Sequence, residues 1–296
     1  MEALTADAGG SLRIGSYQGP VVENNLEANL RKVREVVARH AGELDFLCFP
    51  ETFLSGYAPE SIRSSSLSTV DERFLDLVAF TAAYDTVVLV GMSERRADGI
   101  YNVQAVMYKG RLLGVQTKTQ LTQGYDSLYF KTDLDIRVFE AKGVRFGIAI
   151  CHSTSYVEPA LYLRLKGVRL LFTPHFNDIA PQTLYPDGRM FTSSAHRDMV
   201  LNNQAALAAL LKMVVVRSNV VVVSPDHLGW GDSNLWDMDG NLAAKGEPFT
   251  ECVVKAAFPK EIFRTSGFIN RKEVPLELYR MIADAAASYL ADPMIS

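Results

Sequence analysis

Three short apolar runs limit what this chain can become, because each is strand-length, continuous rather than alternating, and ends in a reactive side chain. They are FLCFPE closing on Glu51, LLGVQTK closing on Lys118 and RFGIAIC closing on Cys151. A strand that is apolar on both faces needs cover on both sides, so such runs point to sheets packed between other layers. An ionisable group placed directly after a buried strand is costly unless it is used or wet. A carboxylate, an ammonium and a thiol delivered this way form a kit for acyl transfer. The base takes the thiol proton, the thiolate attacks a carbonyl or nitrile carbon, and the cation neutralises the developing oxyanion.

The order of elements narrows the architecture. A strand reads over residues 12–17, followed by Leu26, Leu30, Val33 and Val37 at helical spacing, with Asn24 and Glu27 as a capping pair. DFLCF reads as a buried strand, and a helix follows near 71–84, capped by Thr69 with Glu72. VVLVGMS is a strand, NVQAVMYKG and RLLGVQTK form a hairpin at Gly110, and VFEAKGVRFGIAI repeats that pattern around Lys142-Gly143. A helix over 157–166, the strand RLLFTP, a helix over 194–213 and the strand VVVVSP come next. A hairpin around Asp239-Gly240 and a helix near 276–290 close the chain. The series β-α-β-α-β, then hairpins, then a similar round, reads as an α/β chain forming a four-layer α-β-β-α sandwich. A single doubly wound sheet is the alternative from pattern alone. Residues 1–10, small and polar, are expected to be a flexible N-terminus, and 11–296 a single domain with a C-terminal helical extension.

Composition excludes several classes of partner. With 296 residues, 48% of them hydrophobic, the chain can bury a large core, and its net charge of −4 argues against nucleic acid or an anionic membrane. No stretch approaches the roughly 20 apolar residues that cross a bilayer. Cys48, Cys151 and Cys252 show neither disulfide nor zinc spacing, and Cys48 and Cys252 lie within strand-like runs as core-filling thiols. A cytoplasmic protein without cofactor or metal is the expectation.

Taken singly, each reactive residue has an ordinary reading: Cys151 as a buried strand-end thiol, Glu51 as a solvated loop acid, Lys118 as a snorkelling surface lysine. Cys151, however, lies at a strand-to-helix turn, where a helix start lowers a thiol pKa and backbone N–H groups can bind an oxyanion. His152 beside it would point to the opposite face of an extended strand, which makes it a pocket-wall residue rather than an ion-pair partner. His175 and Asn177, in FTPHFND, are placed near the pocket rim, whereas His196 reads as surface or core packing.

Together, the segments FPETFLSGY with Glu51, KTQL with Lys118 and GIAICHSTSYVEPALYLRLKGVRLLFTP with Cys151 resemble the nitrilase, or carbon-nitrogen hydrolase, superfamily. GDSNLWDMDGNLAAKGEP resembles its downstream hairpin segment, and the likeness runs over residues 12–258. The resemblance implies an α-β-β-α sandwich assembled as a homodimer or larger homo-oligomer. It also implies Glu51 as general base, Lys118 as oxyanion stabiliser and Cys151 as nucleophile, with a thioester intermediate and no cofactor. The substrate would be a small amide or carbamoyl compound; nitrile hydrolysis and acyl transfer to an amine use the same three residues and stay open.

Two departures from that pattern matter. Where many members carry a second glutamate after the lysine, KTQLTQGYDSLYF offers Asp126, one methylene shorter and at risk of falling short of Lys118. After Cys151, His152-Ser153-Thr154-Ser155 replace the residues that hold a substrate carboxylate, which favours a neutral or hydroxylated substrate. Asp126, His152, His175, Asn177 and Tyr57, the last closing FPETFLSGY, are the candidate substrate-binding residues. The helix expected before VVVVSP keeps only Arg217, Ser218 and Asn219 of the family's usual run there, a region tied to packing and assembly.

Overall fold

The computed structural model describes residues 10–178, 182–184, 190–223, 227–264 and 276–290, and most of them build two six-stranded sheets. The first sheet has the order Cys252–Pro259, Ser11–Gln18, Phe46–Cys48, Val87–Arg96, Gly99–Tyr108, Arg111–Thr117. The second has the order Leu242–Lys245, Asn234–Trp236, Val214–Ser218, Leu170–Pro174, Val144–Ile148, Phe139–Ala141. In each sheet three strands run parallel and antiparallel strands extend the edges. Residues 1–9 of the expected flexible N-terminus lie outside the described residues.

Three apolar layers explain why the strands are hydrophobic on both faces. Leu47, Val88 and Val90 pack outward under the helices Leu26–His40 and Glu72–Phe80, which contribute Leu30, Val33, Val37, Phe74 and Leu77. Phe46, Cys48 and Leu89 point the other way, into a layer between the sheets, where Phe46 meets Phe146 at 5.2 Å and Phe172 at 5.7 Å. Leu171 and Val215 pack under the helices Val157–Leu165 and Ser193–Leu211. The layer order is therefore α-β-β-α, and the doubly wound alternative does not hold. The chain divides into two compact units between Arg264 and Thr265, the second carrying the helix Leu276–Leu290. Among the described residues no helix is long and apolar enough to cross a membrane.

Several local expectations are corrected. Asn25, not Asn24, caps the first helix by accepting from the Ala28 amide; Asn24 stands one residue outside at φ +52°. Asp71, rather than Thr69, caps the second through the Arg73 amide. The larger miss is Val214–Ser218, which lies between the helix read over 194–213 and the strand VVVVSP, with Arg217 and Ser218 assigned to the helix, but which folds as a central strand. The helix stops at Leu211, and the β-branched run Val214-Val215-Val216 then pairs parallel to Leu170–Pro174.

Candidate active site

The strand ends of both sheets converge. Glu51 follows Phe46–Cys48 through a turn whose backbone presses on Gly91: a Cβ there would lie 2.3 Å from the Thr52 nitrogen and 2.4 Å from the Pro50 oxygen. Only glycine permits that approach. Lys118 ends Arg111–Thr117, its amide donating to the Asn102 carbonyl at 2.8 Å. Cys151 follows Val144–Ile148 and opens a 3-10 turn, Cys151–Ser155, at φ +48°, a left-handed conformation that a side chain other than glycine adopts under strain. Thr154 secures that turn: its hydroxyl donates to the Cys151 carbonyl at 2.7 Å and accepts from Gln204 Nε2 at 2.8 Å.

Glu51 and Lys118 are wholly buried and paired, Nζ to Oε1 at 2.7 Å. Asn102 Nδ2 donates to the same oxygen at 2.7 Å, and the Phe176 amide donates to Oε2 at 2.8 Å. Asp126 reaches Lys118 despite its shorter side chain, with Oδ2 2.7 Å from Nζ, and also accepts from the Thr122 amide and the Tyr57 hydroxyl. The shorter reach is made up by the backbone: Asp126 opens a one-turn helix, Asp126–Tyr129, that brings it against the lysine. Asp126 is fully buried and, like Glu51 and Lys118, is not among the residues lining the cavity.

The charges set the resting protonation states. Burial penalises the Lys118 ammonium, but the adjacent Glu51 and Asp126 carboxylates outweigh that and hold its pKa above the ordinary range. Burial likewise opposes ionisation of Asp126, yet Lys118 and the Tyr57 hydroxyl bring its pKa below the usual value of 3.8. Burial pushes the Cys151 thiol up, the Glu51 carboxylate adds to the effect, and Lys118 pulls against it. The expected lowering by a helix start is thus overturned. A single 3-10 turn has a weak dipole, and burial, reinforced by the neighbouring Glu51 carboxylate, dominates. The resting site holds a protonated thiol beside a proton acceptor.

A cavity of about 480 Å³ opens on Cys151, and Tyr57, His152, His175 and Asn177 all line it. His175 Nδ1 donates to the Thr173 carbonyl at 2.7 Å, which fixes the tautomer and leaves Nε2 as an acceptor. Burial keeps the pKa of His175 well below, and that of His152 below, the ordinary imidazole value, with Arg217 and Lys118 respectively adding to it. His152 lies in the 3-10 turn rather than on an extended strand, and its ring meets Tyr156 edge-on at 5.5 Å.

Sequence reasoning missed five contributors. Arg217, with its pKa lowered to about 10 by burial, donates to Asn177 Oδ1 at 2.8 Å, which turns the Asn177 amide nitrogen towards Cys151 Sγ at 4.0 Å. Asn219 Oδ1 accepts from the Asn177 amide at 2.9 Å. His196, expected to be packing, lines the cavity, and so does Asp178. Asn102 had a legible signal: with Gln104 it forms a polar i, i+2 pair inside the apolar strand NVQAV, marking one polar spot on a buried face. Among the described residues, no group of three or more His, Cys, Asp or Glu is placed to hold a metal ion.

An α-β-β-α sandwich that gathers a buried glutamate, a buried lysine and a cavity cysteine at its strand ends is the arrangement that the resemblance to carbon-nitrogen hydrolases implies. The chain belongs to that family: the carbon-nitrogen hydrolase profile matches residues 13–264. It is 32% identical over 174 residues to the "Hydrolase in pqqF 5'region" of Pseudomonas protegens, covering 57% of this chain and 61% of that protein. It is 34% identical over 169 residues to the glutamine-dependent NAD(+) synthetase of Thermotoga maritima, covering 54% of this chain and 29% of the synthetase. The chain thus spans under two thirds of either relative. Its fold matches that of the amidase from Nesterenkonia sp. AN1 in a variant showing covalent addition of the acetamide moiety of fluoroacetamide at the active site cysteine. That match has a TM-score of 0.75 at 15% identity and covers 93% of this chain and 97% of the amidase.

One prediction follows from Asp126. Its folded pKa lies below 3.8, so its stabilisation is complete above that value and is lost as pH falls through the folded pKa. In denaturant titrations, Asp126→Asn is expected to be less stable than the wild type at neutral pH, with the gap closing below pH 3.8. A gap that stayed constant into acid would show that the carboxylate charge is not what Asp126 contributes.

Proposed function

We propose that this chain hydrolyses a carbon-nitrogen bond in a small non-peptide amide through a thioester on Cys151. The observation that carries the reading is the Glu51–Lys118 pair, fully buried at 2.7 Å and set against a thiol that opens on the cavity. Glu51 takes the thiol proton as Sγ attacks the carbonyl carbon, and the C=O electron pair moves onto oxygen. Lys118 Nζ and the His152 N–H, which lies in the first turn of a helical segment and lacks an intrahelical partner, stabilise that oxyanion. Collapse breaks the C–N bond, and the proton held by Glu51 goes to the leaving nitrogen. Water then gives a proton to Glu51, its oxygen attacks the thioester, and the acid departs as Cys151 regains its proton.

The experiment is ammonia release from a panel of primary amides, glutamine, carbamoyl compounds and nitriles. Ammonia from amides supports the reading; release confined to nitriles would reassign the reaction, and product that depends on an added amine would make the chain an acyltransferase. Turnover of none of these compounds would leave the scaffold without the proposed chemistry.

A further inference from the structure

The cavity wall carries a second arrangement that the bond-breaking step does not use. Tyr57 stacks with Tyr125, 5.2 Å away at 27°, and with Phe176, 5.0 Å away at 19°. Tyr125 is anchored by its hydroxyl, which donates to the Tyr57 carbonyl at 2.7 Å. Asp178 lines the same cavity as Cys151, one residue beyond the Asn177 whose side-chain amide points at the thiol. Its side chain is 21% exposed, with Oδ2 3.3 Å from His227 Nδ1.

Apart from the His227 that meets Asp178, the charge felt at this wall comes from a carboxylate. Glu23 accepts from the Tyr57 and Ala58 amides, and its carboxylate is felt by both Asp178 and Tyr125. Lys118 is engaged by Glu51 and Asp126, and Arg217 by Asn177 and two carbonyls. Among the described residues, no lysine or arginine lines this cavity. Burial raises the pKa of Asp178 despite the opposing pull of His227, so its ionised form gains from a further positive charge. A stacked aromatic face beside a half-buried carboxylate is the chemistry that holds an ammonium or guanidinium.

Resting on the hydrolytic reading above, we infer that the substrate amide carries a cationic group at the end remote from the scissile bond, seated between Asp178 and Tyr125. An acidic tail in that position would face Asp178 and Glu23. The test uses the full chain and primary amides in a graded series of spacer lengths, each ending in an ammonium, a methyl or a carboxylate. At the best length, the ammonium compound is expected to exceed its methyl isostere by about 10- to 100-fold in kcat/KM, as for a hydrogen bond to a charged partner. The carboxylate is expected to rank last. Asp178→Asn should bring the ammonium-to-methyl ratio close to one and Asp178→Glu should retain it. A ratio taken on one protein does not depend on how much of the variant is folded. A ratio near one in the wild type, or one preserved in Asp178→Asn, overturns the inference while amide hydrolysis stands. No turnover of any amide overturns the hydrolytic reading, and this inference with it.

Discussion

Cys151→Ala is expected to abolish amide turnover, with a loss on the order of 10⁶-fold in kcat, the scale seen when the nucleophile of a covalent hydrolase is removed. The wild-type backbone already bends through φ +48° at this residue, which presents Sγ to the cavity. Alanine fits that space and leaves the Glu51–Lys118 pair in place, so the folded state should survive. Cys151→Ser should be nearly as inactive. A hydroxyl is far less acidic than the thiol, and a carboxylate is too weak a base to take its proton efficiently. Ammonia release measured for both variants, alongside their thermal unfolding, checks this. Wild-type rates in Cys151→Ala would refute covalent catalysis.

Lys118→Met should damage stability as well as rate. The ammonium lies 2.7 Å from each of two carboxylates, Glu51 and Asp126, and all three side chains are fully buried. Removing the cation leaves two like charges in a water-poor site, and breaking a buried pair this way costs about 3–5 kcal/mol. The folded pKa of Lys118 lies above its ordinary 10.5, so its stabilisation is complete below that value and is lost as pH rises through the folded pKa. At neutral pH the whole deficit should appear in urea titrations. The protein that remains folded should lose a further 10²- to 10³-fold, roughly, in kcat, as for a deleted oxyanion donor. A variant of wild-type stability would mean that Lys118 does not hold the two acids together.

Much of the site was legible because burial and chemistry coincide at strand ends. Glu51 and Cys151 each follow a strand covered by apolar layers on both faces, whereas Lys118 follows the edge strand Arg111–Thr117, whose Leu113 is exposed, so two-sided cover does not hold there. Asp126 was found by its place in the chain, but whether it reached Lys118 depended on the short helix that carries it. The clamp on Asn177 was hidden because it joins residues far apart in sequence. Arg217 and Asn219 act from the end of Val214–Ser218, and both were assigned to the helix before VVVVSP rather than to a strand. The direction of the Cys151 shift was misjudged because local reasoning saw the turn and not the burial of the thiol or the carboxylate across from it. Capping residues missed by one or two positions, as at Asn25 and Asp71, reflect how little sequence alone distinguishes adjacent polar candidates.

The central claim concerns a bond to sulfur, and rapid-quench mass spectrometry during amide turnover tests it most directly. The account predicts a transient mass increase equal to the acyl group, located on the Cys151 peptide and missing from Cys151→Ala. Steady ammonia release with that peptide unmodified at every time point, and with undiminished turnover in Cys151→Ala, would contradict it.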